Sequence, residues 1–127
     1  MDLVQAQQTL ALCGDRLDLY SGNDDHIVPI LSLGGVGVIS TMANVIPAET
    51  QNICTLWQSG EHHAAAELQA RCQPLIQALF REVNPIPVKA AMEMLGLDSG
   101  YVRQPLTSIG ETARAELQRA LCAFGLL

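Results

Sequence analysis

Polar and apolar residues fall into blocks along this chain, and the spacing within the blocks changes as it proceeds. Asp2 can cap a helix that runs to about Leu12, with Gly14 as its stop. Leu17-Asp18-Leu19-Tyr20 predicts a short strand entering the polar, glycine-bearing turn Ser21-Gly22-Asn23-Asp24-Asp25. A short helix follows from about His26 to Leu33, and Gly34-Gly35 ends it. Val36 to Ser40 predicts a second strand, apolar on both faces as a buried parallel strand is. Pro47 suits the first turn of a helix reaching about Ser59 and stopping at Gly60.

After Gly60 the pattern is helical throughout. Leu68, Cys72, Leu75, Ile76 and Leu79 make one stripe, with Pro74 inside it expected to kink or break the helix. A further helix is predicted from about Pro87 to Gly96. The last starts at Ser108, where Glu111 completes the spacing of a capping box, and its apolar face is Ala113, Leu117, Ala120, Leu121 and Phe124. A strand, a helix and a second strand in succession predict parallel neighbours. Two strands alone leave open edges and an uncovered face. The pattern therefore calls for further strands, from a longer parent chain, from another copy, or from a rearranged fold.

Composition narrows the classes. The 127 residues are 49% hydrophobic and 16% charged, a globular and not a disordered balance. A formal charge of −6, with scattered arginines and one lysine, disfavours nucleic acid. No segment has the length and apolarity of a membrane span, and Met1-Asp2-Leu3-Val4-Gln5 lacks the features of a signal peptide, so a cytoplasmic protein is expected. Cys13, Cys54, Cys72 and Cys122 are far apart, which argues against a zinc site or a disulfide framework; each is expected as a small buried hydrophobe on a helix.

Four segments in order carry a family resemblance: Tyr20-Ser21-Gly22-Asn23-Asp24-Asp25; Gly35-Val36-Gly37-Val38-Ile39-Ser40 with Ala43-Asn44-Val45; Asn84-Pro85-Ile86-Pro87-Val88-Lys89; and Arg103-Gln104-Pro105-Leu106-Thr107. Together they resemble the dihydrodipicolinate synthase family, from Asp2 to Leu127. The resemblance implies an α/β fold, the C-terminal part of a TIM (β/α)8 barrel, with residues 1–59 as a partial barrel segment and 60–127 as a C-terminal helical extension. It also implies the family's reaction, in which pyruvate bound as a lysine imine condenses with aspartate semialdehyde on the diaminopimelate route to lysine. That chemistry needs a lysine amine able to attack a ketone, and no separate cofactor. In the family this lysine lies on strand six, just ahead of the helix that begins here at Asp2. The paired threonines, the tyrosine and the substrate arginine lie further upstream, and none has a counterpart here.

What the resemblance leaves in this chain is wall. Barrel active sites lie at the C-terminal ends of the strands. Gly22 follows the first strand and permits close backbone approach; Ile39 ends the second and matches a residue that touches bound pyruvate. Read without the family, Gly22 only makes a turn and Ile39 only fills core. With it, both are expected to bind substrate, given the other half of the barrel. Lys89 reads either as a substitute imine lysine or as a solvent-facing helix residue, and the family motif places it away from the mouth, favouring the second.

Other candidates have plainer readings. His62 and His63 are adjacent and point about 100° apart on a helix, so an exposed pair is expected and not a metal site. His26 beside Asp24 and Asp25 could mimic a base and its orienter, but aspartates there are more simply helix caps. Leu56 and Trp57 are expected to pack.

The leading expectation is thus part of a dihydrodipicolinate synthase, inactive alone for want of the imine lysine. The rivals are a non-catalytic assembly module, half of a split enzyme, or another pyruvate aldolase of the N-acetylneuraminate lyase type. Self-association, as a dimer or tetramer with helices carrying Leu3 and Leu33 toward a subunit contact, is expected from the uncovered strands or by the resemblance.

Overall fold

The computed structural model describes residues 2–127. Helix α1 is Leu3–Cys13, strand β1 Tyr20–Ser21, α2 Ile27–Ser32, β2 Gly37–Val38, α3 Pro47–Gln58, α4 His62–Leu79, α5 Ile86–Met94 and α6 Glu111–Phe124. Local chemistry sets most of these limits. Asp2 accepts from the Val4 and Gln5 amides and caps α1, while Gly14, at φ 54°, ends it. Pro47 opens α3, where its missing N–H costs nothing. Gly125 closes α6 in the left-handed conformation.

The two strands pair in parallel, Tyr20 opposite Gly37 and Ser21 opposite Val38. Flanking bonds from Val36 N to Leu19 O and from Ile39 N to Ser21 O, each 2.8 Å, extend the ladder. The first strand therefore lies later than Leu17–Tyr20, because Leu17 and Asp18 take no part in pairing. A Cβ on Gly37 would stand 3.2 Å from the Tyr20 ring, so the absent side chain lets the tyrosine lie across the ladder.

One hydrophobic cluster joins both segments of the chain. Ile27, Met42 and Ile53 meet Cys72, Leu75 and Leu79 of α4, and these meet Leu117 and Leu121 of α6. Helix α4 is the central partner, packed between α3 and α6, while α5 packs on α6. Among the described residues no helix is long and apolar enough to cross a membrane.

Several expectations are corrected. Of the two outcomes expected at Pro74, a break does not occur, and α4 continues to Leu79. Pro74 sits on the exposed side while Cys72, Leu75 and Ile76 anchor the turns around it in the core. The last helix starts at Glu111 and not Ser108: Gly110 is its N-cap, and the Gly110 amide donates to Glu82 Oε1 at 3.1 Å, so a distant carboxylate replaces the capping box. The span between α5 and α6 is an irregular loop, which agrees with a helix stopping near Gly96 though not with a helical pattern throughout. Cys54 and Cys72 are buried as expected, but Cys13 is half-buried and Cys122 exposed, since Cys122 follows Leu121 around the helix and turns outward. The second strand is not covered on both faces either: Val36 and Ile39 are exposed, and among the described residues the sheet has two strands.

Candidate functional site

Parallel strands with a helical crossover bring the C-terminal ends of both strands to one end of the sheet. Gly22 follows Ser21 directly and Ile39 follows Val38 directly, so the backbone alone makes them neighbours. The Ile39 side chain is 71% exposed, an unusual state for an isoleucine at the end of a parallel strand. Gly22 and Ile39 line one open cavity of about 640 Å³, with Ser40, Thr41 and Asn44 from the loop after β2. Its opposite wall comes from the C-terminal helices: Asn84 and Pro85 before α5, Lys89 and Met92 on it, and Leu97-Asp98 after it. A larger groove of about 850 Å³ lies between α4 and α6, but it holds neither strand end.

Buried polar bonds fix the loops of this end. Asp24 is fully buried; its Oδ2 accepts from the Met42 amide at 2.9 Å, tying the loop after β1 to the loop after β2. Asp24 is therefore a loop tie and not a helix cap. Its other oxygen, Oδ1, has no partner among the described residues. Ser21 Oγ donates to Asn23 O at 2.7 Å and accepts from Asn23 N, shaping the turn that carries Gly22. Gln69 reaches in from α4, accepting from Val28 N at 2.7 Å and donating to Asp25 O at 2.6 Å. The helical segment thus grips the corner between β1 and α2.

The histidines take no part. His26 Nδ1 meets Asp25 Oδ1 at 2.6 Å on the outside of that corner. His62 and His63 are exposed, His62 stacking on Trp57 with ring centroids 4.1 Å apart. Among the described residues no three His, Cys, Asp or Glu side chains converge as a metal set.

Lys89 differs from its expectation. It is not a solvent-facing residue remote from the strand ends: it lines the same cavity as Gly22 and Ile39, and its ammonium is paired with Asp98. Hydrogen bonding from Lys89, then from the Ser99 amide, holds the Asp98 carboxyl below its usual range. No local pattern shows this placement, because it depends on how α5 docks. Gln69 and Asp24 were equally silent, although a glutamine on the apolar stripe of α4 is a hint of a buried bond.

The sequence pattern of the Dihydrodipicolinate synthetase family matches residues 1–124. The chain belongs to this family. It is 50% identical over 125 residues to a 4-hydroxy-tetrahydrodipicolinate synthase of Caldicellulosiruptor bescii, a match covering 98% of this chain and 42% of that one. The dihydrodipicolinate synthase structure from Thermotoga maritima superposes with a TM-score of 0.95 at 36% identity, over 99% of this chain and 44% of that one. A chloride-inhibited dihydrodipicolinate synthase from Acinetobacter baumannii, solved with pyruvate, gives 0.93 at 31% identity, over 99% of this chain and 43% of that one. The chain therefore spans less than half the length of the relatives it matches, and it corresponds to their C-terminal part. Its fold is the corresponding piece of a TIM barrel: two barrel strands with their helices, followed by the helical extension.

Proposed function

We propose that this chain forms one wall of a dihydrodipicolinate synthase active site, in which pyruvate and aspartate semialdehyde condense through a lysine imine in the cytoplasmic synthesis of lysine. The observation that carries the reading is the pairing of Gly22 and Ile39 at the C-terminal ends of two parallel strands, on one cavity, with Ile39 left exposed. In this reading Ile39 packs against the pyruvate carbons, and Gly22 lets the backbone come close to the bound acid. Both then bury apolar surface that is open here.

The reacting amine belongs to another part of the complete enzyme. Imine formation needs an uncharged amine, which attacks the pyruvate ketone and expels its oxygen as water. Lys89, the sole lysine of the chain, is instead committed to Asp98 as an ion pair. The exposed Val36 and Ile39, on opposite faces of the second strand, support an occupant on each, namely the six remaining β/α units of such a barrel. The assembled enzyme is expected to oligomerise, and the reading calls for no cofactor.

The test is co-expression of this chain with the complementary N-terminal part of the Caldicellulosiruptor bescii relative. The two should copurify, and pyruvate with borohydride should label the N-terminal polypeptide. Copurification without any adduct would favour the non-catalytic assembly reading.

A further inference from the structure

The cavity that holds Gly22 and Ile39 is lined by two charged residues among those described, Lys89 and Asp98, and they face each other. The rest of its lining is backbone, amide, hydroxyl and apolar side chains. Each of the paired side chains keeps 31% of its surface exposed, so neither charge is sealed away from the opening. The Asp98 carboxylate is oriented from behind, accepting from its neighbour's amide, Ser99 N, at 2.7 Å on Oδ1 while Oδ2 meets Lys89 Nζ. The turn bearing Asp98 is itself anchored, with Leu97 N donating to Met92 O at 2.8 Å. The pair is thus a fixed charge device at the opening, supplied by the helical extension and not by the strands.

Its consequence follows from the charge of the chain. At a formal −6 the molecule repels small anions at long range. Without Lys89 the cavity wall would add the lone Asp98 carboxylate to that repulsion. Paired with it, the compact Lys89 ammonium cancels the Asp98 charge and leaves the cavity wall without a net negative charge. We infer that Lys89 is a specificity-determining residue of this cavity, offsetting Asp98 so that an anionic 2-oxo acid can enter. The inference rests on the function proposed above and deepens it: the helical extension acts on substrate affinity through one lysine that performs no covalent step.

The two single-charge variants separate this role from a structural one, because they break the same ion pair but change the cavity charge in opposite directions. In the co-expressed complex, the rate of borohydride-trapped adduct formation is measured against pyruvate concentration at low ionic strength. Lys89→Met should raise the half-saturating pyruvate concentration roughly threefold, and Asp98→Asn should lower it by a similar factor. The limiting rate should stay unchanged in both, and added salt should bring the two curves together. The double variant, uncharged at both positions, should return toward the wild-type value.

If both variants shift the same way, or neither shifts, or the double variant is as impaired as the worse single one, the pair is structural and the inference fails while the proposed function stands. A wild-type complex that forms no adduct removes the proposed function, and this inference with it.

Discussion

The helical part of the molecule and its strand pair follow opposite rules. Leu75, Leu79, Leu117 and Leu121 are at most 1% exposed, whereas Val36 is 38% and Ile39 71% exposed. The difference lies in where each element finds its partners. A helix satisfies its backbone internally and needs only one apolar stripe covered, which α4 and α6 do for each other. A parallel strand needs neighbours on both edges and cover on both faces. This chain gives each strand one paired edge and leaves part of the second strand open. A closed core and an open strand end thus coexist among the described residues, and the open part carries Ile39.

The sharpest way to break this comparison is to truncate one residue on each side of it. Leu117→Ala removes a fully buried side chain from the helical core and should cost about 2–5 kcal/mol in urea denaturation. Ile39→Ala in the chain alone should stay within about 0.5 kcal/mol, since it deletes exposed surface. Equal losses would show that the strand face is packed against something. Under the proposed function, Ile39→Ala in the assembled complex should weaken pyruvate binding, read as a higher half-saturating pyruvate concentration in the borohydride trap.

The next effect concerns the tie between the two regions. Gln69→Leu keeps the bulk on α4 but leaves the Val28 amide and the Asp25 carbonyl without their partner. A loss of about 1–3 kcal/mol is expected, with faster hydrogen exchange at Val28. Unchanged exchange there would mean that the corner holds without the helix.

The smallest effect is one of pH. The folded Asp98 carboxyl titrates below its ordinary value of 3.8, chiefly because Lys89 hydrogen-bonds to it. The folded state therefore binds fewer protons than the unfolded one, and the contribution is fully present above 3.8 and lost as pH falls through the lower folded value. Denaturation curves at about pH 6 and about pH 3 should differ less for Asp98→Asn than for the wild type. The pair is exposed to solvent, so the difference is expected to be small.

The sequence read most clearly where a local rule decided the outcome. Asp2, Gly14, Pro47 and Gly60 bound their helices by capping chemistry that needs only neighbours. The stripe from Leu68 to Leu79 gave the core-facing side of α4, because helical spacing is local too. Positions settled across the fold were not legible in this way. Glu82 supplies the Gly110 amide with its acceptor from another part of the chain, so the Ser108 box never forms. Asp98 and the docking of α5 bring Lys89 to the cavity, which its place in the motif did not suggest. Gly22 and Ile39 were singled out through the family resemblance, and the parallel pairing places them together.

The measurement that bears most directly on the account is the intact mass of the purified chain after incubation with pyruvate and borohydride, beside a full-length relative treated identically. The relative should gain an adduct, and this chain should show no mass change. A stoichiometric adduct mapped to Lys89 would contradict this, showing that the wall carries an imine-forming amine of its own.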